Sequence, residues 1–375
     1  MTGFGAGPEF PTGPEFPTGT GPADGLERVA GMLRRQAEAC AELGSPLYTG
    51  LLAALADDVL AGGPAADVVA GHDSDPVGWA IGLRLMGAVH RLVLERRAPA
   101  LALFFPSVGG TADAATAWPA LRALLAYERD ALRAGLLRHP QTNEVGRAAA
   151  LVGGLLHIEA AAHRPIRLVE IGASAGLNLR ADAFRVESKL GDAAYGPSSS
   201  PVRLTDAWEG TPPPAGQPRI VERLGCDLAP VDPRTTHGRL TLTSYVWADM
   251  VDRLERLRGA LALAVRIPAP VVTAAAGELI DTLRLEEGTT LLVWHSVMWQ
   301  YVDAPERERI LARLDALGDA ATPRAGLAHL SLEPRPGGSL GTRDMLVTLR
   351  TWPEGTERVL GQAPAHGVPV TWNPG

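Results

Sequence analysis

Residues 166–179 have the sequence IRLVEIGASAGLNL. The first part is apolar and predicts a short strand, after which Gly172, Ser174 and Gly176 stand at alternate positions and an apolar helical pattern begins at Leu177. Small residues in such a turn let a ligand approach the backbone closely, and the N-terminus of a following helix offers free N–H groups and a positive dipole. The segment therefore predicts a site for a polar or anionic ligand.

Two interpretations of this segment are open from its residues alone. With Glu170 included, the pattern is acid-x-Gly-x-Ser-x-Gly, which resembles the turn with which class I methyltransferases hold S-adenosylmethionine. Without Glu170, the pattern is Gly-x-Ser-x-Gly, the nucleophile elbow of α/β-hydrolases, and Ser174 would be the nucleophile. The rest of the chain has to distinguish a cofactor turn from a catalytic serine.

The composition indicates a soluble protein of two lobes. The chain has 375 residues, 46% hydrophobic and 21% charged, with a net charge of −7, so it lacks the basic character of a nucleic-acid-binding protein. Its two cysteines suit a reducing compartment, and no His, Cys, Asp or Glu cluster has metal-ligand spacing. No secretion signal or membrane-spanning run is visible. We expect a cytoplasmic protein with a small-molecule substrate and no metal, nucleic acid or membrane partner.

The chain before the strand is helical. Residues 1–23 repeat GPEFPT and are rich in Gly and Pro, which predicts a disordered tail. Residues 24–165 carry apolar residues at three-to-four spacing, which predicts an all-helical N-terminal lobe. An α/β-hydrolase would place several strands and an oxyanion loop before its elbow. The lobe therefore favours the methyltransferase-like interpretation.

After the turn, strand and helix patterns alternate. Residues 183–218 predict an inserted hairpin of two antiparallel arms, close to the ligand. Strands and helices then follow one another as far as residue 332, and residues 344–361 predict a final antiparallel hairpin. Residues 166–375 are thus expected to form an α/β domain, a class I methyltransferase-like doubly wound sheet that ends in an antiparallel hairpin.

Asp227, at the end of the strand predicted over residues 219–227, is the candidate ribose ligand. Nucleotide-binding sheets use an acid at the tip of the second strand to accept hydrogen bonds from two ribose hydroxyls. Asp227 lies about 50 residues beyond the turn, where about 20 is usual, so the insertion has to account for the excess. The alternative is a local turn carboxylate before Pro230. Glu333, at the end of a later strand, is interpreted as a loop carboxylate, and the alternative is a substrate ligand.

Two further groups are candidates for the substrate side. His295 and Trp299 follow a strand, at the edge where open α/β sheets bind ligands; a histidine can act as a general base, and aromatic faces favour cations. Asn143, Glu144 and Arg147 precede a long apolar helix and are expected to reach from the lobe into the cleft. The alternatives are a histidine within an aromatic core, and a helix cap with a Glu144–Arg147 pair.

Four segments resemble those of a bacterial family known as domain of unknown function 2332: HPQTNEVGRAAAL at 139–151, VEIGASAGLNL at 169–179, GCDLAP at 225–230 and VWHSVMWQYV at 293–302. The resemblance covers about residues 26–367. It implies a methyltransferase-like Rossmann fold with a helical N-terminal lobe and no established reaction. Ser174 stands where methyltransferases have the middle glycine of the turn.

The sequence thus predicts a methyltransferase that uses S-adenosylmethionine, or a relative that binds it, acting on a small polar molecule between lobe and sheet. The residues of the predicted cofactor site are Glu170, Gly172, Ser174, Gly176 and Asp227. His295 would orient or deprotonate the acceptor. The enzyme alternative is a serine hydrolase that uses Ser174 with His295, His329 or His366 as base, and the third possibility is a small-molecule-binding protein without turnover.

Overall fold

The computed structural model describes residues 22–76, 79–335 and 345–373. The predicted tail, residues 1–23, lies outside this part of the chain except for its last two residues, which begin the first helix. The α/β class and the helical N-terminal region predicted from the sequence are confirmed.

The helices are α1 (Pro22–Glu42), α2 (Pro46–Leu60), α3 (Pro64–Val69), α4 (Ile81–Leu94), α5 (Pro99–Ala102), α6 (Ala114–Tyr127), α7 (Arg129–Leu136), α8 (Ala148–Ala162), α9 (Thr236–Ser244), α10 (Val251–Arg266), α11 (Ala276–Thr282) and α12 (Ala304–Asp319). The strands are β1 (Ile166–Ile171), β2 (Arg185–Ser188), β3 (Ala194–Tyr195), β4 (Arg203–Gly210), β5 (Ile220–Asp227), β6 (Val271–Thr273), β7 (Thr289–Ser296), β8 (Ala325–Pro334), β9 (Met345–Trp352), β10 (Thr356–Ala363) and β11 (Val370–Trp372).

The strands of the described residues form one 11-stranded sheet in the order β3-β2-β4-β11-β10-β9-β8-β7-β1-β5-β6. The strands β6-β5-β1-β7-β8 are parallel and, numbered among themselves along the chain, have the order 3-2-1-4-5. This order reverses between β1 and β7. Open α/β sheets bind ligands at such a point, in the crevice outside the carboxyl ends of the strands. We call this place the switch-point crevice.

Strand β1 carries apolar residues on both of its faces because both faces are buried. Ile166 and Leu168 pack in one core with residues of α8 and α10. Val169 and Ile171 pack in another core with residues of α11 and α12. Helices therefore cover both faces of the parallel strands, as in a doubly wound sheet.

Helices α1 to α7 have a core of their own, which also takes in Trp247 and Ala248 from the connection between α9 and α10. Ser45 caps α2 and also donates from Oγ to Asp249 Oδ1 at 2.6 Å, which ties the lobe to the later part of the chain. Helix α8, assigned to the lobe from the sequence, packs on the sheet: a Cβ at Gly153 would lie 2.1 Å from the Trp372 ring. The glycine thus permits close contact between α8 and the sheet.

The helix predicted after the glycine turn does not form. A short 3₁₀ helix, Asn178–Ala183, follows instead, and Arg180 leaves helical geometry within it (φ −108°, ψ 17°). The Arg180 guanidinium donates to the carbonyl oxygens of Gly176 and Ile267, both at 2.7 Å. These contacts override local helix propensity. The prediction of an α-helix N-terminus at the turn is wrong.

The insertion at 183–218 is built differently from the predicted hairpin. Its two longer strands, β2 and β4, pair in parallel, and the antiparallel partner of β2 is the short β3. Strand β4 also pairs with β11, and Trp208 donates from Nε1 to Ala149 O at 3.0 Å. With these contacts fixed, β4 runs parallel to β2 and does not form the antiparallel arm that was predicted. The inserted strands extend the sheet beyond β11, away from β1.

The predicted hairpin forms, since β9 and β10 pair antiparallel and β9 also pairs antiparallel with β8. It lies within the sheet and does not end it, because β10 pairs with β11 on its other side. One helical stretch of the described residues, Val145–Ala162, is long and apolar enough to cross a membrane, and 67% of it is buried inside the protein. Its packing on the sheet explains its apolar character.

Candidate functional site at the switch-point crevice

The turn after β1 takes backbone conformations that glycine favours. Gly172, Ser174 and Gly176 have φ values of 67°, 53° and 64°, and for a residue with a side chain the left-handed region costs about 1–2 kcal/mol. An added Cβ at Gly172 would lie 3.0 Å from Met298 Cβ, and one at Gly176 2.7 Å from Val271 Cγ2. The two glycines are therefore favoured both by the backbone and by close packing.

Asp227 joins the end of β5 to this turn. Its Oδ2 accepts a hydrogen bond from Ser174 N, and its Oδ1 accepts one from Ala229 N, each at 2.9 Å. Val231 N donates to Ser174 O at 3.2 Å. The turn and the acid are one unit although 53 residues separate them, because β2, β3 and β4 are inserted between them. We call Asn143, Gly172, Ser174, Gly176 and Asp227 the turn cluster.

The irregular segment before α8 covers the turn. Ser174 Oγ donates a short hydrogen bond to Gln141 Oε1, and Leu177 N donates to Asn143 Oδ1 at 2.9 Å. Asn143 thus lies at the turn, where the sequence placed it, but it holds the backbone. The Ser174 hydroxyl is bonded to an amide, and among the described residues no histidine nitrogen bonds to it.

Glu144 forms a buried ion pair with Arg253. Its Oε2 lies 2.6 Å from Arg253 Nε, and its Oε1 accepts from Gly146 N at 3.0 Å. Burial opposes ionisation, but the charge of Arg253 holds the pKa of Glu144 down at about 2. The small cavity beside it, of about 10 Å³, has room for about one water molecule and is lined by neither Gly172 nor His295.

Arg147 reaches the crevice. Its Nε donates to Ala365 O at 3.0 Å and its Nη1 to Ser296 O at 3.2 Å, at the carboxyl end of β7. Burial lowers the pKa of Arg147, against the raising effect of the Glu144 and Glu333 charges. This guanidinium therefore fixes the start of α8 to the end of β7. It also places a positive charge near both Glu144 and Glu333.

Glu170 lies on β1 opposite Trp294 of β7. Its side chain faces the α8 side of the sheet, is almost completely buried, and has no hydrogen-bond partner for Oε2 among the described residues. Burial raises the pKa of Glu170 to about 8. At neutral pH the group is therefore mainly a neutral acid, which can donate as well as accept a hydrogen bond.

His295 lies on the opposite face of the sheet, bonded through both ring nitrogens. Its Nδ1 is 2.7 Å from Glu333 Oε1 and its Nε2 is 3.0 Å from His329 Nε2. The Trp299 ring stacks on it at 4.7 Å with an interplanar angle of 15°. Glu333 Oε1 also accepts from Met298 N at 3.1 Å. We call His295, Trp299, His329 and Glu333 the histidine cluster.

Four contact residues were not selected as site residues from the sequence: Gln141, Arg253, His329 and Glu333. Glu333 had a usable signal, because an acid at the carboxyl end of a parallel strand points to the ligand edge. His329 lies within β8 and was named from the sequence only as a candidate base for the serine hydrolase. Among the described residues no group of three or more His, Cys, Asp or Glu is placed to hold a metal ion.

The model of a bacterial family, described as an uncharacterized protein conserved in bacteria (DUF2332), matches residues 30–372. The chain belongs to this family. The resemblance carried by the four sequence segments is thereby confirmed. No curated protein and no solved structure matches the chain. The two clusters are therefore interpreted from their own geometry.

Proposed function

We propose that this member of the family is a methyltransferase that uses S-adenosylmethionine and acts on a small polar molecule at the switch-point crevice. One observation carries the proposal: Asp227, at the end of the second parallel strand, accepts a hydrogen bond from Ser174 N in the turn after the first. A small-residue turn beside a strand-end carboxylate is the arrangement with which nucleotide-binding sheets hold a nucleoside ligand.

The residues present fit S-adenosylmethionine in part. Each Asp227 oxygen accepts one backbone N–H, which leaves each with acceptor capacity for a ribose hydroxyl. Gly172 and Gly176 allow a ligand to approach the backbone, and Ser174 takes the conformation that a glycine would have. The absent helix is the departure: the turn offers no α-helix dipole, so side chains have to orient the polar end of the ligand.

S-adenosylmethionine supplies an electrophilic methyl group, and methyl transfer depends mainly on alignment of the acceptor with it. Arg147 and the neutral acid Glu170 would orient a polar acceptor from the α8 side. The histidine cluster would accept the proton that an O–H or N–H acceptor loses. The proposed substrate is small because Met298 closely approaches Gly172 across the crevice.

The serine hydrolase is the weaker candidate. The positive φ of Ser174 suits a nucleophile elbow. However, its hydroxyl donates to Gln141, and both nitrogens of His295 are engaged elsewhere. A nucleophilic serine needs a base within hydrogen-bond reach.

Calorimetric titration of the purified protein with S-adenosylmethionine and with its demethylated product tests the proposal. We expect binding of both, weakened about tenfold or more in Asp227→Asn, because hydrogen bonds to a charged group contribute about 1.5–3 kcal/mol. Asp130→Asn, at an exposed position of α7, is the matched control and should bind normally. Absence of heat and of any thermal shift with both ligands at millimolar concentration would refute the proposal. Binding without methylation of any acceptor would favour the non-catalytic alternative.

A further inference from the structure

The hydrogen bonds of the histidine cluster fix where its protons lie. Glu333 Oε1 accepts from both Met298 N and Trp299 N, so this oxygen acts as an acceptor and His295 Nδ1 donates to it. In a neutral ring the other nitrogen is then an acceptor. The 3.0 Å contact between the two Nε2 atoms therefore requires that His329 Nε2 donates to His295 Nε2.

This assignment leaves one basic nitrogen in the cluster. His295 is only 2% exposed and its two nitrogens are occupied, so it cannot take a proton directly from a ligand or from solvent. His329 Nδ1 makes no hydrogen bond among the described residues, and the residue is partly exposed. A proton can enter the pair only at that atom.

We propose that His329 and His295 form a proton-accepting pair, in which the proton is taken up at His329 Nδ1 and the positive charge is held on His295 against Glu333. The proton that arrives binds His329 Nδ1, and the proton on His329 Nε2 passes to His295 Nε2. His329 ends as a neutral ring of the opposite tautomer, and His295 ends as an imidazolium that donates to Glu333 and to His329. The proton donor is an O–H or N–H group of a ligand, or hydronium.

The surrounding charges favour this distribution. Glu333 contacts His295, whereas Arg350 of β9 is the strand partner of His329 and pairs with Asp315 of α12 at 2.8 Å. Burial, together with the charges of His295 and Arg350, lowers the pKa of His329 to about 3. His329 is therefore a poor place for a lasting charge.

The remaining charged groups near the cluster are Arg147, which acts on Glu333, and the Tyr301 phenol, whose pKa burial raises. Both stay in one protonation state near neutral pH, because arginine and tyrosine titrate well above it. Neither replaces Glu333 as the partner of an imidazolium. The inference does not depend on binding of S-adenosylmethionine.

Nuclear magnetic resonance of the ¹⁵N-labelled histidine rings tests the inference in the unmodified protein without any ligand. At mildly alkaline pH we expect the Nδ1–H tautomer for His295 and the Nε2–H tautomer for His329. On acidification His295 should become an imidazolium while His329 stays neutral and changes to the Nδ1–H tautomer. An imidazolium at His329 before His295, or the opposite tautomers at alkaline pH, would overturn the proposal.

Variants provide the second measurement. His295→Gln and His329→Gln assign the signals of the two rings. His163→Gln, at an exposed position, is the control and should leave the signals of both rings unchanged. Glu333→Gln should lower the pH of proton uptake by the pair by about one unit or more, the scale of a lost opposite charge. An unchanged uptake pH would contradict the proposal. So would binding of added Zn²⁺ with coordinated signals for both rings, which would identify a metal site.

Discussion

In the turn cluster the contacts are made largely by the backbone, since N–H groups of Ser174 and Leu177 donate to Asp227 and Asn143. In the histidine cluster they are made by side chains, with Glu333 and His329 on either side of His295. Both clusters lie near the carboxyl edge of the parallel strands, the turn cluster at β1 and β5 and the histidine cluster at β7 and β8. One is held by backbone groups, and the other is built from ionisable side chains.

This difference suits the two clusters to different roles in the proposed function. A backbone turn held by hydrogen bonds recognises shape and offers little that titrates between pH 5 and 8. A pair of histidines beside a carboxylate offers proton donors and acceptors but defines no ligand outline. The proposed methyl transfer to an O–H or N–H acceptor would need both properties, and the two clusters that would supply them lie at the ends of β1, β5, β7 and β8.

The largest expected effect concerns the support of the turn cluster. Glu144→Gln leaves the Arg253 charge buried without its partner, and removing one member of a buried ion pair costs about 3–5 kcal/mol. Both side chains are almost fully buried, so we expect a loss of this size in the free energy of unfolding, measured by urea denaturation. The Glu144 pKa of about 2 is below its usual value, so the contribution is present above about pH 4.5 and is lost as the pH falls toward 2.

The exposed pair of Arg34 and Asp57 is the control, and Asp57→Asn should cost less than about 1 kcal/mol. Replacing both Glu144 and Arg253 by Met should recover most of the loss, because apolar side chains can substitute for a buried ion pair. If Glu144→Gln lowered the free energy of unfolding no more than Asp57→Asn does, the ion pair would not stabilise the segment that covers the turn cluster. The turn cluster would then not be the more rigid of the two clusters.

A second prediction concerns Glu170, the titratable group on the turn side. Its pKa of about 8 is above that of the unfolded chain, so the folded state holds a proton that the unfolded state releases. This contribution to the free energy of unfolding is complete below about pH 4.5 and is lost as the pH rises through about 8. In Glu170→Gln the loss is absent. The free energy of unfolding of the variant, relative to that of the natural protein, should therefore rise by about 1 kcal/mol per pH unit between about pH 5 and 8.

Urea denaturation at several pH values measures this difference. Glu287→Gln, at an exposed position, should follow the natural protein at every pH. A constant difference between Glu170→Gln and the natural protein would mean that Glu170 is ionised when folded. The turn side would then carry a buried negative charge and would favour a cationic acceptor.

The backbone half of the crevice could be predicted because its signals are local. Glycine spacing reports left-handed backbone at Gly172 and Gly176, and an acid after an apolar strand marks Asp227. The helix after the turn could not be predicted correctly, since the Arg180 contacts that prevent it reach a residue 87 positions away. The positions of the longer strands were likewise predicted, but β3 and β11 were not, and the parallel pairing of β2 with β4 accompanies the pairing of β4 with distant β11.

In the side-chain half, His295 and Trp299 could be predicted from their place after a strand, but the contacts among the four residues could not, because they depend on strand register. His295 and His329 are 34 residues apart. They meet because β7 and β8 align Val293 with His329 and His295 with Ser331, which puts the two rings on one face as diagonal neighbours. A register shift of one residue would send them to opposite faces. The sequence does not specify the register, so Glu333 gave no sign that it would contact His295.

The smallest expected effect concerns Ser174. The sign of the stability difference between its glycine and alanine variants shows whether the left-handed backbone matters at this position. Ser174→Ala keeps a side chain at a φ of 53° and loses the hydrogen bond to Gln141, whereas Ser174→Gly loses that bond and also relieves the backbone. Left-handed geometry costs a non-glycine residue about 1–2 kcal/mol, and glycine entropy offsets about 0.5–1 kcal/mol of that. Ser174→Gly should therefore be more stable than Ser174→Ala by up to about 1 kcal/mol.

Ser188, at the end of β2 without a positive φ, provides the control, and there the alanine variant should be the more stable of the pair. Ser174→Gly should also leave the proposed nucleoside binding unchanged, because Ser174 contributes its N–H to Asp227 and glycine has the same N–H. The natural protein should not react with a fluorophosphonate probe, which labels a serine only when a base activates it. Labelling lost in Ser174→Ala would instead show that the hydroxyl does the chemistry, and the turn cluster would then be a catalytic centre in its own right, with Gln141 displaced to admit a base.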